Sequence, residues 1–124
     1  MALDAIATPT LVEEIPFTGK TLFCITGYDT DASTAIEIKA APGAGKAIYI
    51  TSIILGSDDA DAHPHLQDED DNVLIGPLMS AVEGPILHHD FSFPLKLVSN
   101  KALELKAAAG GNVFVHVEGA IAAG

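Results

Sequence analysis

Basic residues are scarce in this chain: 6 Lys and Arg stand against 17 Asp and Glu, for a net charge of −11. A nucleic-acid partner requires a basic footprint to neutralise phosphates, so none is expected, and an anionic membrane surface would repel the protein. Trp is missing altogether, which weakens the case for a site that stacks sugars or peptides. Cysteine occurs once, as Cys24. A single thiol can build neither an intrachain disulfide nor a paired-cysteine zinc site, and it is expected as a small buried hydrophobe rather than a nucleophile. No stretch approaches the ~20 apolar residues of a membrane helix. The opening "MALDAIATPTLVEEIPF" lacks the basic n-region and long apolar run of a secretory signal, so cytoplasmic synthesis is expected.

What is present suits a packed domain. The chain has 124 residues, 48% of them hydrophobic and 19% charged, enough for one core and too few for two. Since many of the apolar residues are Ala, the core must rest on Ile, Leu, Val and the 5 Phe. Net charge of this size favours solubility at high concentration, which suits a protein made in many copies.

Residues 1–18 contain Pro9 and Pro16, little periodicity and a mixture of small and acidic residues. They read as an extended arm ahead of a domain over 19–124. The arm is either a solvated tail or a docking segment. Leu11, Val12, Ile15 and Phe17 are more apolar than solvation alone requires, and docking is the sharper reading.

From Lys20 the strand signals begin. "KTLFCITG" stops at Gly27; "TAIEIKA" alternates Ile36 and Ile38 with Glu37 and Lys39; "KAIYITSIILG" is apolar on both faces, which fits a central strand covered on both sides or one whose outer face meets a partner. In that last run, strict alternation groups Ile48, Ile50 and Ile54 against Tyr49, Thr51, Ile53 and Leu55. After the polar loop "SDDADAHPHLQDEDDN" come "VLIGPLM", with Pro77 at a bend, and then "GPILHHDFSF" and "PLKLV" as two strands around Pro94. "KALELKA" and "NVFVHVEGAI" close the series, the latter setting Val113, Val115 and Val117 against Phe114, His116 and Glu118. About eight short strands at ~10-residue spacing predict an all-β, single-domain antiparallel β-sandwich or jelly roll.

Motifs for chemistry are few. "APGAGKA" lacks the first Gly and the final hydroxyl of a phosphate loop, with Ala40 and Ala47 in those places. No Ser stands in a G-x-S-x-G elbow. Asp58, Asp59 and Asp61, with the run Asp68–Asp71, lack the spacing of an EF-hand calcium loop. The segment "GSDDADAHPHLQDEDDNVLIG" holds His63, His65, Glu69 and Gly76 and resembles the first cupin motif. That resemblance implies a metal held by His63, His65 and Glu69, with His88 as a further ligand. Pro64 interrupts the strand such a site needs. Around Gly84 and His88 the second cupin motif fails, with Val82 in place of its Pro and Ser92 in place of its Asn. A polar loop with incidental His is the simpler account, and the expectation is no enzyme, no cofactor and no metal.

"FPLKLVSNKALELKAAAGGNVFVHVEG" resembles the C-terminal region of small all-β virion proteins of tailed bacteriophages. These share an aromatic-Pro-leucine strand, a short turn, an "ALEL"-type strand, a Gly-bearing turn and a final V-x-V-x-V strand. "GKAIYITSIILGSDD" is similar to their GK-x-I-x-I-x-S strand, and the likeness covers residues 44–121. It implies a head decoration, or cement, protein: a β-sandwich that binds the major capsid protein or another virion protein on the outer shell, as a homotrimer. On that reading Leu11, Val12, Ile15 and Phe17 are candidates for contact with the capsid, and Phe114 and His116 for the subunit interface.

Overall fold

A computed structural model describes residues 11–17, 19–59, 61–79, 84 and 86–124, the first of these segments by its backbone alone. Alternation decides the architecture. Val113, Val115 and Val117 are fully buried in the last strand while Phe114 between them is 43% exposed. The same period puts Ile36 and Ile38, and Leu103 and Leu105, inside. Each such side chain contributes roughly 1.5–3 kcal/mol on leaving water.

Among the described residues there are nine strands: β1 (Leu11–Phe17), β2 (Lys20–Asp29), β3 (Ile36–Lys39), β4 (Lys46–Ser57), β5 (His65–Asp68), β6 (Val73–Ile75), β7 (Ile86–Lys96), β8 (Leu103–Lys106) and β9 (Val113–Ala123). They form two antiparallel sheets, a long one in the order β1-β2-β9-β4-β7 and a short one in the order β3-β8-β5-β6. Ile25, Ile48, Ile50, Ile53 and Leu55 from the long sheet meet Ile36, Leu66, Leu103 and Leu105 from the short one in a single core. The protein is an all-β sandwich. From β2 onward the pairing is nested: β2 with β9, β3 with β8, β4 with β7 and β5 with β6.

Several elements differ from the sequence expectation. Strand β2 runs past Gly27 to Asp29. The run VLIGPLM gives only Val73–Ile75 as strand. The stretch read as a polar loop contains β5 at the centre of the short sheet. Leu66, Gln67 and Asp68 are all buried there, because hydrogen bonds satisfy the polar pair. Gln67 Nε2 donates to Asp71 Oδ1 and Glu104 Oε1, while Asp68 accepts from the backbone N–H groups of Asp70 and Asn72 and from Asn72 Nδ2.

Strand β4 carries the most consequential departure. Its ladder to β9 steps from Ile50↔Gly119 to Ser52↔Glu118, leaving Thr51 as an extra residue. The bulge reverses the phase of the strand. Ile48 and Ile50 are inside before it, and Ile53 and Leu55 after it, so Ile54 falls on the outer face and the strict alternation fails. Thr51 Oγ1 donates to the Glu118 carbonyl at 3.1 Å, which ties the bulge to β9. Close approach at this point requires Gly119: a Cβ there would strike the Tyr49 carbonyl oxygen and come within 2.9 Å of Phe23 Cζ.

The ladder to β7 is disturbed more widely. Pairing passes from Ser52↔Asp90 to Ile50↔Leu95 without engaging Phe91–Pro94. What the sequence presents as two strands around Pro94 is therefore one edge strand with a protruding middle. Pro94, which has no N–H to give, is tolerated where the ladder is already broken.

Candidate functional site

The outer face of the long sheet gathers apolar, titratable and thiol side chains that the core does not use. Register arranges them in three rows across β2, β9, β4 and β7. The first is Tyr28, Phe114, Gly56 and Ile86; the second is Thr26, His116, Ile54 and His88; the third is Cys24, Glu118, Ser52 and Asp90.

The first row is apolar. Gly56 contributes no side chain, so Tyr28, Phe114 and Ile86 border an open hollow of about 530 Å³ that also touches Val113 and Asn112. Ile86 is 74% exposed. Farther along the same edge strand, Phe93 is 88% exposed on the unpaired excursion of β7. Two large apolar side chains held in water on one free edge form a surface suited to contact with another protein.

The other two rows are polar. Ser52 Oγ donates to Asp90 Oδ1 at 2.6 Å, and His88 Nε2 lies 3.5 Å from the same oxygen. The Ser52 hydroxyl is the main influence holding the Asp90 carboxyl below its ordinary pKa, against a smaller desolvation effect. Here the carboxylate sits between hydroxyl and imidazole, whereas a nucleophilic triad needs the imidazole in the middle. On the neighbouring strands His116 Nε2 donates to Glu118 Oε2 at 2.8 Å and lies 3.9 Å from Cys24 Sγ. Both contacts use one ring nitrogen, so this group is no relay either: a relay takes a proton on one nitrogen while the other is held by the orienting acid.

Cys24 was expected as a buried hydrophobe. It is only partly buried and faces outward, since Phe23 and Ile25 on either side of it occupy the core. The two interface candidates, Phe114 and His116, both lie on this outer face. Of the candidate arm, Leu11–Phe17 forms the edge strand β1, paired along its length with β2 from Leu11↔Thr26 to Phe17↔Lys20. Residues 1–10, and the side chains of Leu11, Val12, Ile15 and Phe17, lie outside the described residues.

The cupin-like set is not assembled. His63 Nδ1 lies 3.2 Å from the Leu78 carbonyl, His65 Nε2 lies 2.8 Å from Gln67 Oε1, and Glu69 Oε1 accepts from the Ala102 N–H. His63 is also in the left-handed region at φ 45° and outside any strand, so the two His do not share a strand face. Among the described residues, the three-residue group whose ligand atoms converge is Cys24, His116 and Glu118. Sequence reasoning placed His116 beside Glu118 but missed Cys24, which only the β2–β9 register brings to them. No protein-family model matches the chain, and no curated protein matches it.

Proposed function

We propose that this chain is a structural protein of a tailed-bacteriophage particle. In this reading it is a decoration, or cement, protein that binds the outer head shell as a trimer and does no bond-making of its own. The exposed apolar edge of β7, with Ile86 and Phe93 at 74% and 88% exposure, carries the reading. Such a surface gains by being covered. Three further features support it: the pattern shared with phage virion proteins over residues 44–121, the nested pairing of the sandwich, which we read as a jelly roll, and the excess of acidic residues.

The mechanism is adhesive. A packed genome pushes the shell outward, and a protein bridging adjacent capsomers resists their separation. Apolar burial contributes about 25 cal/mol per Å² before the cost of association is subtracted. A trimer that touches the shell at several points gains further through effective concentration. After synthesis in the host cytoplasm, the protein would reside on the virion surface.

Two measurements test this. Sedimentation of the purified chain should give a trimer, and mixing it with purified heads of the phage that encodes it should give saturable co-pelleting. Replacing both Ile86 and Phe93 by Ser should weaken that co-pelleting at least about tenfold while leaving the fold intact. A monomer that never pellets with heads, or a chain that turns over a small molecule, would end the proposal.

A further inference from the structure

We infer that Cys24, His116 and Glu118 form a binding site for a zinc-class transition metal on the outer face of the long sheet. The inference rests on geometry alone and stands whether or not the protein coats a phage head.

The donor set is chemically specific. A thiolate, an imidazole and a carboxylate together suit zinc and its neighbours, and the sulfur disfavours magnesium and calcium, which prefer oxygen throughout. Their ligand atoms lie within 4.8 Å of one another. Tetrahedral zinc, with metal–sulfur near 2.3 Å and metal–nitrogen or metal–oxygen near 2.0–2.1 Å, sets its donors about 3.3–3.6 Å apart. The separations of 2.8 Å for His116 Nε2 to Glu118 Oε2 and 3.9 Å for Cys24 Sγ to His116 Nε2 bracket that spacing. Small side-chain rotations would bring both to it.

The scaffold holds these donors in place. His116 and Glu118 are two apart on β9 and therefore share a face. Strand β9 is central, paired on both sides by β2 and β4. Cys24 lies directly opposite Glu118 across an uninterrupted antiparallel register from Lys20↔Ala122 to Asp29↔Val113. The proton that His116 Nε2 now donates to Glu118 occupies the place a cation would take. Binding would shift neutral His116 to the tautomer with its proton at Nδ1, exchanged through solvent, and would release one net proton, that of the thiol, leaving Cys24 as thiolate and Glu118 as carboxylate. Three protein donors leave a fourth position for water.

The test uses full-length protein without an affinity tag, stripped of metal and titrated with Co²⁺. Expected are one equivalent bound, a thiolate-to-cobalt charge-transfer band, the visible spectrum of a tetrahedral site, and loss of all three on adding Zn²⁺. C24S should abolish the charge-transfer band. H116A and E118Q should each weaken binding by at least about tenfold. Because Glu118 is solvent-exposed, E118Q also tests the site without threatening the fold, and circular dichroism of C24S and H116A checks theirs. H63A and H65A should leave the titration unchanged. Absence of the charge-transfer band in the unmodified protein, its survival in C24S, or binding lost in H63A or H65A instead would overturn the site.

Discussion

In the long sheet, β2, β4, β7 and β9 run to between 10 and 12 residues, whereas no strand of the short sheet exceeds 4. Their outer faces differ as much as their lengths. On the short sheet the outward Gln67 is bonded to Glu104, Asp71 and His65, and Glu37 across from Glu104 is exposed. Lys101 pairs with Asp70 at 3.0 Å beside it. On the long sheet Ile86 and Phe114 of the outward rows and Phe93 of the β7 excursion stand in water, and three ligand atoms converge. The short sheet ties His65, Gln67 and Glu104 to one another and leaves Val73 at its edge 53% exposed, while the long sheet holds Ile86 and Phe93 farther into water. A sandwich can thus divide its labour, with one layer completing the fold and the other presenting a surface.

The strongest way to break this comparison is to disturb the bulge that sets the face of the long sheet. Gly119→Ala puts a methyl against the Tyr49 backbone and the Phe23 ring, and the carbonyl cannot rotate away as a side chain would. A loss of about 3 kcal/mol or more is expected, read from the urea midpoint. Leu66→Ala, at a fully buried position of the short sheet, tests the shared core and should cost about 3 kcal/mol.

Asp68→Asn probes the polar economy of the short sheet and should cost about 1–2 kcal/mol at neutral pH by disrupting the β5–β6 turn. Burial pushes the Asp68 carboxyl up. Hydrogen bonds from Asn72 and from the Asp70 N–H, with the nearby Lys101 charge, outweigh it and hold the carboxyl below its ordinary value. A carboxyl depressed in the folded state stabilises fully above its unfolded pKa of about 3.9 and loses that contribution as pH falls through the folded value. The gap between wild type and Asp68→Asn should therefore narrow as urea melts are taken from pH 6 down towards pH 3. The smallest effect on stability is expected from Phe93→Ser, within about 0.5 kcal/mol, since that ring is 88% exposed. A large loss there would show that Phe93 belongs to the fold and not to the presented face.

The β class and the inward residues of β3, β8 and β9 were legible because strict alternation survives in those strands. Strand β4 was misread in its second half because a bulge depends on what lies opposite, here Gly119, and not on the strand's own residues. Strand β5 was hidden because its buried Gln67 and Asp68 look like loop residues until Glu104, Asp71 and Asn72 are placed around them. Two of the three proposed metal ligands, His116 and Glu118, were legible as an outward pair. Cys24 was not, because its place is fixed by a strand register that joins the two ends of the described chain.

That distant pairing also governs how the protein must be made. The partner of β2 lies far along the chain, Cys24 and His116 being 92 positions apart, so β2 waits for β9 before it can pair, and closure of the sheet belongs to the slow end of single-domain folding, on the order of milliseconds to seconds. Strands that wait expose bare edges that invite association, and surplus acidic charge is one means of keeping such intermediates apart.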